Sequence, residues 1–141
     1  MNERGVMGFD FGMKRLGIAV GQELTRTASP LVTLDVKNGL PDWTALASLI
    51  QQWQPEAFVV GLPQHRDGKP HRLAPLITEF CTRLQNQYQC PVYTVDEHLS
   101  SYAAESELKE RGHDPRRHKK QIDALAASII LQHWLEQQSN L

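Results

Sequence analysis

The sequence lacks the features that mark several specialised classes of protein. Two cysteines are too few for a disulfide framework and are typical of a reducing compartment. No apolar run approaches the ~20 residues that a membrane span requires, and the first four residues predict no secretory signal peptide. Fifteen Lys and Arg against sixteen Asp and Glu give a net charge of −1, which excludes a uniformly basic nucleic-acid-binding protein.

The remaining composition is that of a globular domain. The chain has 141 residues, of which 40% are hydrophobic and 22% charged, close to the average of folded proteins. It contains no internal repeat, low-complexity tract or linker that would divide it. We therefore predict a single domain over residues 1–141, located in the cytoplasm and without a membrane partner.

The spacing of apolar residues predicts a mixed α/β fold. Predicted strands cover residues 5–11, 16–20, 31–36, 57–62 and 91–95. Predicted helices cover 43–53, with Trp43 and Trp53 in the core, and 73–84, 101–110 and 119–137. Short connections favour antiparallel pairing of the first three strands, and the helix-separated later strands favour parallel pairing. The expected architecture is a five-stranded mixed sheet with helices on both faces, the element order of ribonuclease H-like folds.

Several acidic residues occupy positions where apolar side chains are expected. Asp10 lies between two phenylalanines near the end of the first strand, and Asp123 falls inside the apolar arc of the last helix. Asp96 and Glu97 directly follow the fifth strand. Each has a structural explanation when taken alone, such as a turn cap or a helix-dipole contact. Together they predict acids that converge at one sheet edge and hold Mg²⁺ or Mn²⁺ through oxygen ligands. Two such ions can stabilise the attacking water and the leaving oxygen in phosphodiester cleavage.

Four ordered blocks of sequence resemble the YqgF/RuvX family. The blocks are residues 10–20 (Asp-Phe-Gly-Met-Lys-Arg-Leu-Gly-Ile-Ala-Val), 59–63 with the Asp-Gly pair at 67–68, 96–101 (Asp-Glu-His-Leu-Ser-Ser), and the segment from Lys119 to Gln132. Members of this family are pre-16S ribosomal RNA nucleases related to RuvC-type Holliday junction resolvases. The resemblance implies a ribonuclease H-like fold, a cytoplasmic location and a nuclease that matures the 5′ end of small-subunit ribosomal RNA.

The resemblance also implies roles for individual residues. Asp10, Glu97 and Asp123 match the catalytic carboxylates that bind the metal ion, Mg²⁺ or Mn²⁺, and Asp96 matches an accessory acid. His98 replaces an arginine of the family and Ser101 replaces a threonine, both also as accessory residues. A titratable imidazole thus stands in place of a permanent cation. Alanines occupy the neighbourhood of a further resolvase acid in the last helix, so a four-acid resolvase site is not visible.

A basic segment precedes and opens the last helix. Candidate phosphate contacts in and near it are Arg116, Arg117, Lys119 and Lys120, together with Lys14 on the first turn. A solvated loop explains these charges equally well, whereas a nucleic-acid contact would place them beside the acids.

Two alternatives to an RNA-processing nuclease stay open. One is a Holliday junction resolvase that acts on four-way, branched DNA with the same metal chemistry. The other is a non-catalytic module that binds structured RNA and keeps only the fold, an interpretation that the substitution at His98 leaves open.

Overall fold

The structure is a computed structural model, and it describes residues 5–62, 72–96, 106, 109–112 and 118–138. The strands are β1 (Gly5–Phe11), β2 (Arg15–Gln22), β3 (Thr27–Lys37), β4 (Leu40–Pro41), β5 (Ala57–Leu62) and β6 (Val92–Asp96). The helices are α1 (Trp43–Trp53), α2 (Ala74–Tyr88) and α3 (Lys119–Gln138). Of the helix predicted over 101–110, the described residues 106, 109 and 110 are helical.

The strands form one mixed sheet in the order β4-β3-β2-β1-β5-β6. The first three strands pair antiparallel, as their short connections predict. Strand β5 lies parallel to β1, and β6 lies parallel to β5. The predicted mixed α/β sheet is therefore confirmed, but the predicted count of five strands is wrong because the described residues form six.

The extra strand and the greater length of β3 have local causes. Asn38 and Gly39 end β3 as expected, and because both have positive φ they also form a hairpin turn that returns the chain as β4. The third strand was expected to begin after Pro30, because proline cannot donate to a strand ladder. It begins earlier, since a register shift between Ile18 and Ala19 accommodates Pro30 opposite Ala19.

Alternate residues of β1 pack into two different cores. Met7, Phe9 and Phe11 lie in the apolar cluster that includes buried residues of α1 and α2. Phe9 and Phe11 both contact the ring of Phe80, at centroid distances of 5.2 and 5.3 Å. The residues of opposite parity therefore face α3, which packs against β1, β2, β3 and β5 on the other side of the sheet.

Helix α3 approaches the sheet closely where β1 and β2 pair. A Cβ atom at Gly17 would lie 2.0 Å from the backbone oxygen of Asp123, and one at Gly8 would lie 2.9 Å from the Cβ of Leu131. Glycine is required at these two positions because any side chain would push the helix away from the sheet. Since Asp10 shares the parity of Gly8, its carboxyl is directed to this same face.

Replacing Gly17 by Ala should lower the free energy of unfolding by about 3 kcal/mol, because the new methyl group overlaps the backbone of α3. Urea unfolding measures this change. Gly5→Ala is the matched control, because its Cβ would meet its nearest atom at 3.9 Å. Equal losses in the two variants would show that the close approach of the helix is not rigid.

Two predictions about apolar side chains need correction. Trp53 was expected in the core but is 43% exposed, because α1 ends at this residue and no further turn covers its ring. The predicted apolar stripe of α3 was too narrow, because the helix is buried on more than one side. The predicted stripe comprised Ile122, Leu125, Ala126, Ile129, Ile130 and Trp134. The buried residues of α3 outside it are Ala124, Ala127, Ser128, Leu131 and Leu135.

Other sequence expectations concern cysteines and the membrane. Cys81 and Cys90 are both free, so the two cysteines form no disulfide bond with each other. In the part of the chain that the structure describes, no helix has the length and apolar character to cross a membrane.

Candidate functional site

Asp10 is a partly buried carboxylate on the α3 face of the central strand. It pairs with Gly17 of β2, and directly opposite residues of an antiparallel pair share a face. Gly17 is also a position where α3 approaches the sheet very closely, at the backbone of Asp123. The strand pairing and the glycine contact therefore bring the first and last predicted acids to one place.

The pKa of Asp10 is raised from 3.8 to about 7. Burial is the larger cause, because it disfavours the ionised carboxylate, and the negative charge of Asp123 adds to it. Such a group exchanges its proton near neutral pH in the absence of a cation. A divalent cation at this position would favour the ionised form and would lower that pKa again.

Asp123 lies in the second turn of α3 and points toward the strands. Its carboxylate oxygen Oδ2 accepts a hydrogen bond from Nε of Arg15, which also makes an ion pair with it. Burial raises the pKa of Asp123, while the hydrogen bond and the charge of Arg15 act against that rise. The expectation that this acid of the helix faces the sheet is thus met by a contact to β2.

Arg15 is a residue of the candidate site that was not predicted from the sequence. It is the first residue of β2 and has the parity of Gly17, so its side chain lies on the same face as Asp10. Its side chain is 31% exposed and that of Asp123 is 19% exposed, so the pair lies at the rim of the interface between helix and sheet. The sequence contained one signal for this position. Arg15 lies two residues before Gly17 in the same strand, so both residues face the same side of the sheet.

The remaining predicted acids lie at the end of β6. Asp96 is the last residue of that strand, is exposed, and pairs with Leu62 of β5. Val95, its neighbour, is buried in the core that faces α3. Glu97, His98 and Ser101 lie outside the described residues, so their predicted roles are untested.

Three of the five predicted phosphate-binding residues are described, and all three are exposed. Lys14 lies on the turn between β1 and β2, next to Arg15. Lys119 and Lys120 open α3, where the hydroxyl of Thr33 donates to the backbone oxygen of Lys120 at 2.6 Å. Nζ of Lys120 lies 4.0 Å from Oδ1 of Asp35. The predicted contacts Arg116 and Arg117 lie outside the described residues.

The donor set fits a hard divalent cation. Aspartate oxygens are the ligands that Mg²⁺ and Mn²⁺ prefer, and the described site contains neither the Cys nor the His ligands of a zinc centre. Within the described ranges, no three His, Cys, Asp or Glu side chains come together to hold a metal ion. The described part of the site therefore supplies two carboxylates, Asp10 and Asp123, and any third ligand must come from elsewhere.

A cavity of about 830 Å³ lies between β4, α1 and α2, on the sheet face opposite α3. None of the predicted site residues lines it. Its walls are mainly apolar, and we place the candidate site at the carboxylate pair instead, because the charged groups that phosphodiester chemistry needs are found there.

Comparison with known proteins finds similar sequences over nearly the whole chain. One family model, described as "RuvX: Holliday junction resolvase", matches residues 4–137. Two relatives carry the name "Putative pre-16S rRNA nuclease". The one from Pseudomonas paraeruginosa (strain DSM 24068 / PA7) is 41% identical over 135 residues, covering 96% of this chain and 94% of the relative. The one from Legionella pneumophila (strain Lens) is 44% identical over 135 residues, covering 95% and 97%.

Solved structures share the fold at low sequence identity. RuvC of T. thermophilus in complex with a Holliday junction substrate has a TM-score of 0.55 and 20% identity, over 96% of this chain and 95% of that one. The fowlpox virus resolvase in complex with Holliday junction DNA has a TM-score of 0.54 and 11% identity, over 95% and 98%. These likenesses confirm the ribonuclease H-like fold. Because the family model spans nearly all residues and the relatives exceed 40% identity, the chain belongs to the YqgF/RuvX family.

Proposed function

We propose that the protein is a metal-dependent nuclease that processes the 5′ end of pre-16S ribosomal RNA in the cytoplasm. The observation that carries this proposal is the meeting of Asp10 and Asp123 at a position where α3 closely approaches the sheet. Two acids from opposite ends of the chain, both with raised pKa, are a costly arrangement for stability alone. Membership of the family and the names of its relatives support nuclease activity.

In this proposal Asp10, Glu97 and Asp123 hold Mg²⁺ or Mn²⁺, and Asp96 is an accessory acid. Glu97 directly follows Asp96, the last residue of β6, in the sequence. His98 and Ser101 complete the accessory set. A single domain then carries the whole site, because its ligands come from β1, the end of β6 and α3.

The chain's own residues supply charge and position. When bound, divalent ions would activate the attacking water and stabilise the leaving oxygen of the phosphodiester. Asp10 and Asp123 fix the place of that chemistry through a rigid strand and a helix locked by Gly17. The exposed Lys119 and Lys120 lie on α3, which carries Asp123, and Lys14 lies on the turn that follows β1, which carries Asp10; there they would neutralise phosphates of the substrate.

The same metal chemistry could act on a ribosomal RNA precursor or on a Holliday junction. The names of the relatives indicate a ribosomal RNA precursor, whereas the family description and the solved neighbours concern Holliday junctions. We favour the RNA precursor, because the relatives that carry that name are more than 40% identical and the junction-bound structures are at most 20% identical.

A cleavage assay on two labelled substrates tests the proposal. One substrate is a precursor of 16S ribosomal RNA and the other is a four-way DNA junction, each incubated with Mg²⁺, with Mn²⁺ or with EDTA. We expect cleavage of the RNA near its mature 5′ end, dependent on the metal ion. Preferential cutting of the junction would favour the resolvase, and binding without cleavage of either would favour the non-catalytic module.

The basic segment gives a further prediction. Replacing Arg116, Arg117, Lys119 and Lys120 by Ala should weaken RNA binding and reduce the slope of log K against log salt by up to ~3, because each lost phosphate contact removes ~0.7. Metal binding should stay unchanged. Fluorescence anisotropy measures the binding constant K over a salt range of roughly 50 to 300 mM, and the slope follows from these values.

A matched pair of double variants serves as the control for this prediction. Lys119→Ala with Lys120→Ala removes two charges beside the acids, whereas Arg26→Ala with Arg83→Ala removes two exposed charges elsewhere. Equal salt slopes in the two doubles would mean that the segment is only a solvated surface.

A further inference from the structure

Arg15 competes with a divalent cation for one carboxylate. Its Nε donates to Oδ2 of Asp123, a carboxylate that the proposed function assigns to the metal ion. The guanidinium and a metal ion on the same carboxylate would lie close together, and their like charges repel in a partly buried site. Binding of the metal ion must therefore weaken or break the contact between Arg15 and Asp123.

The groups around Arg15 indicate what kind of ligand its guanidinium would bind after it leaves Asp123. Its partner across the strands is Asp35 of β3, but Nζ of Lys120 already lies 4.0 Å from that carboxylate. Lys14 precedes Arg15 on the exposed turn, so the guanidinium lies on a rim with further cations. A rim of this kind attracts an anion, and a guanidinium binds phosphate through two parallel hydrogen bonds.

We propose that Arg15 is a phosphate-positioning residue that exchanges partners when the metal ion binds. In the metal-free protein it neutralises Asp123 and keeps that carboxylate from facing Asp10 uncompensated. With the metal ion bound to Asp123, the guanidinium turns to a phosphate of the nucleic-acid strand. This inference rests on the proposed function, and it assigns a substrate contact to a residue outside the set of metal-binding acids.

The first arm of the test uses Mn²⁺ alone, measured by isothermal titration calorimetry at one pH. Arg15→Gln should bind Mn²⁺ on the order of tenfold more tightly than the wild type, because a competing charge is gone. Arg26→Gln, which removes an exposed arginine at the far end of the β2–β3 hairpin, should bind as the wild type does. Equal or weaker Mn²⁺ binding by Arg15→Gln would overturn the exchange.

The second arm measures cleavage of the labelled RNA precursor at saturating Mn²⁺. Arg15→Gln should raise KM about tenfold with a smaller change in kcat, because one charged phosphate contact is lost. An unchanged KM would overturn the phosphate contact. Arg15→Lys keeps the charge but loses the paired hydrogen bonds, so it should raise KM severalfold while leaving Mn²⁺ affinity near that of the wild type.

The two arms separate failure of this inference from failure of the proposed function. If the wild-type protein binds no Mn²⁺ and cuts neither substrate, the proposed function itself is wrong. If the wild type binds Mn²⁺ and cleaves but Arg15→Gln matches it in both measurements, only the role of Arg15 is wrong. Should Arg15→Gln fail to fold, as judged by circular dichroism, the KM of Arg15→Lys decides the phosphate contact.

Discussion

Asp10→Asn should reduce cleavage of the RNA precursor by about 10³-fold, on the order of 4 kcal/mol in transition-state stabilisation. Asp123→Asn and Glu97→Gln should have losses of similar size. Each change keeps the size of the side chain but removes a negative charge that the proposed metal ion requires. Single-turnover rates at saturating Mg²⁺ measure the effect, and circular dichroism verifies that each variant is folded.

Two carboxylates outside the candidate site provide controls of the same chemical kind. Asp42→Asn changes the acid that caps α1, where asparagine caps equally well. Glu79→Gln changes an exposed acid of α2, on the opposite face of the sheet. Both controls should cleave at the wild-type rate. Wild-type rates in Asp10→Asn would remove that residue from the site, and wild-type rates in all three acid variants would refute a metal-dependent nuclease.

The sequence was most informative where an acidic residue occupied a position at which the strand or helix pattern predicts an apolar side chain. Asp10 interrupts a strand whose alternate residues Phe9 and Phe11 are buried, so it must face the other side of the sheet. Asp123 interrupts the apolar arc of a helix, so it must point toward the strands. The structure places both side chains between α3 and the sheet. This placement was predictable because the strand and helix periods are local properties of the chain.

Other features depend on contacts between distant segments and were not predictable in the same way. The pairing of Arg15 with Asp123 requires the position of α3 over β2, which no local pattern contains. Pro30 predicted the wrong start of β3, because a register shift in the neighbouring strand accommodates it. The two-residue strand β4 was missed because two residues show no period.

The carboxyl of Asp10 should make the metal-free protein less stable as the pH rises. The folded protein binds this proton more tightly than the unfolded chain, because folding raises the pKa from 3.8 to about 7. The free energy of unfolding therefore falls between pH 4 and about 7 and is level above that range. Asp10→Asn removes this dependence, so at pH 8 in EDTA it should exceed the wild type in stability by up to ~4 kcal/mol.

Urea unfolding of the wild type, Asp10→Asn and Asp42→Asn across this pH range tests the prediction. Asp42→Asn should keep the wild-type slope, because Asp42 lies at the start of α1 and outside the site. At pH 8, saturating Mg²⁺ should stabilise the wild type by about 2.7 kcal/mol at a hundred times its Kd, and should stabilise Asp10→Asn much less. Parallel pH profiles for Asp10→Asn and the wild type would show that Asp10 ionises freely in the folded protein. In that case the charge of Asp10 does not lower the free energy of unfolding. A bound cation would then not stabilise the fold by compensating that charge.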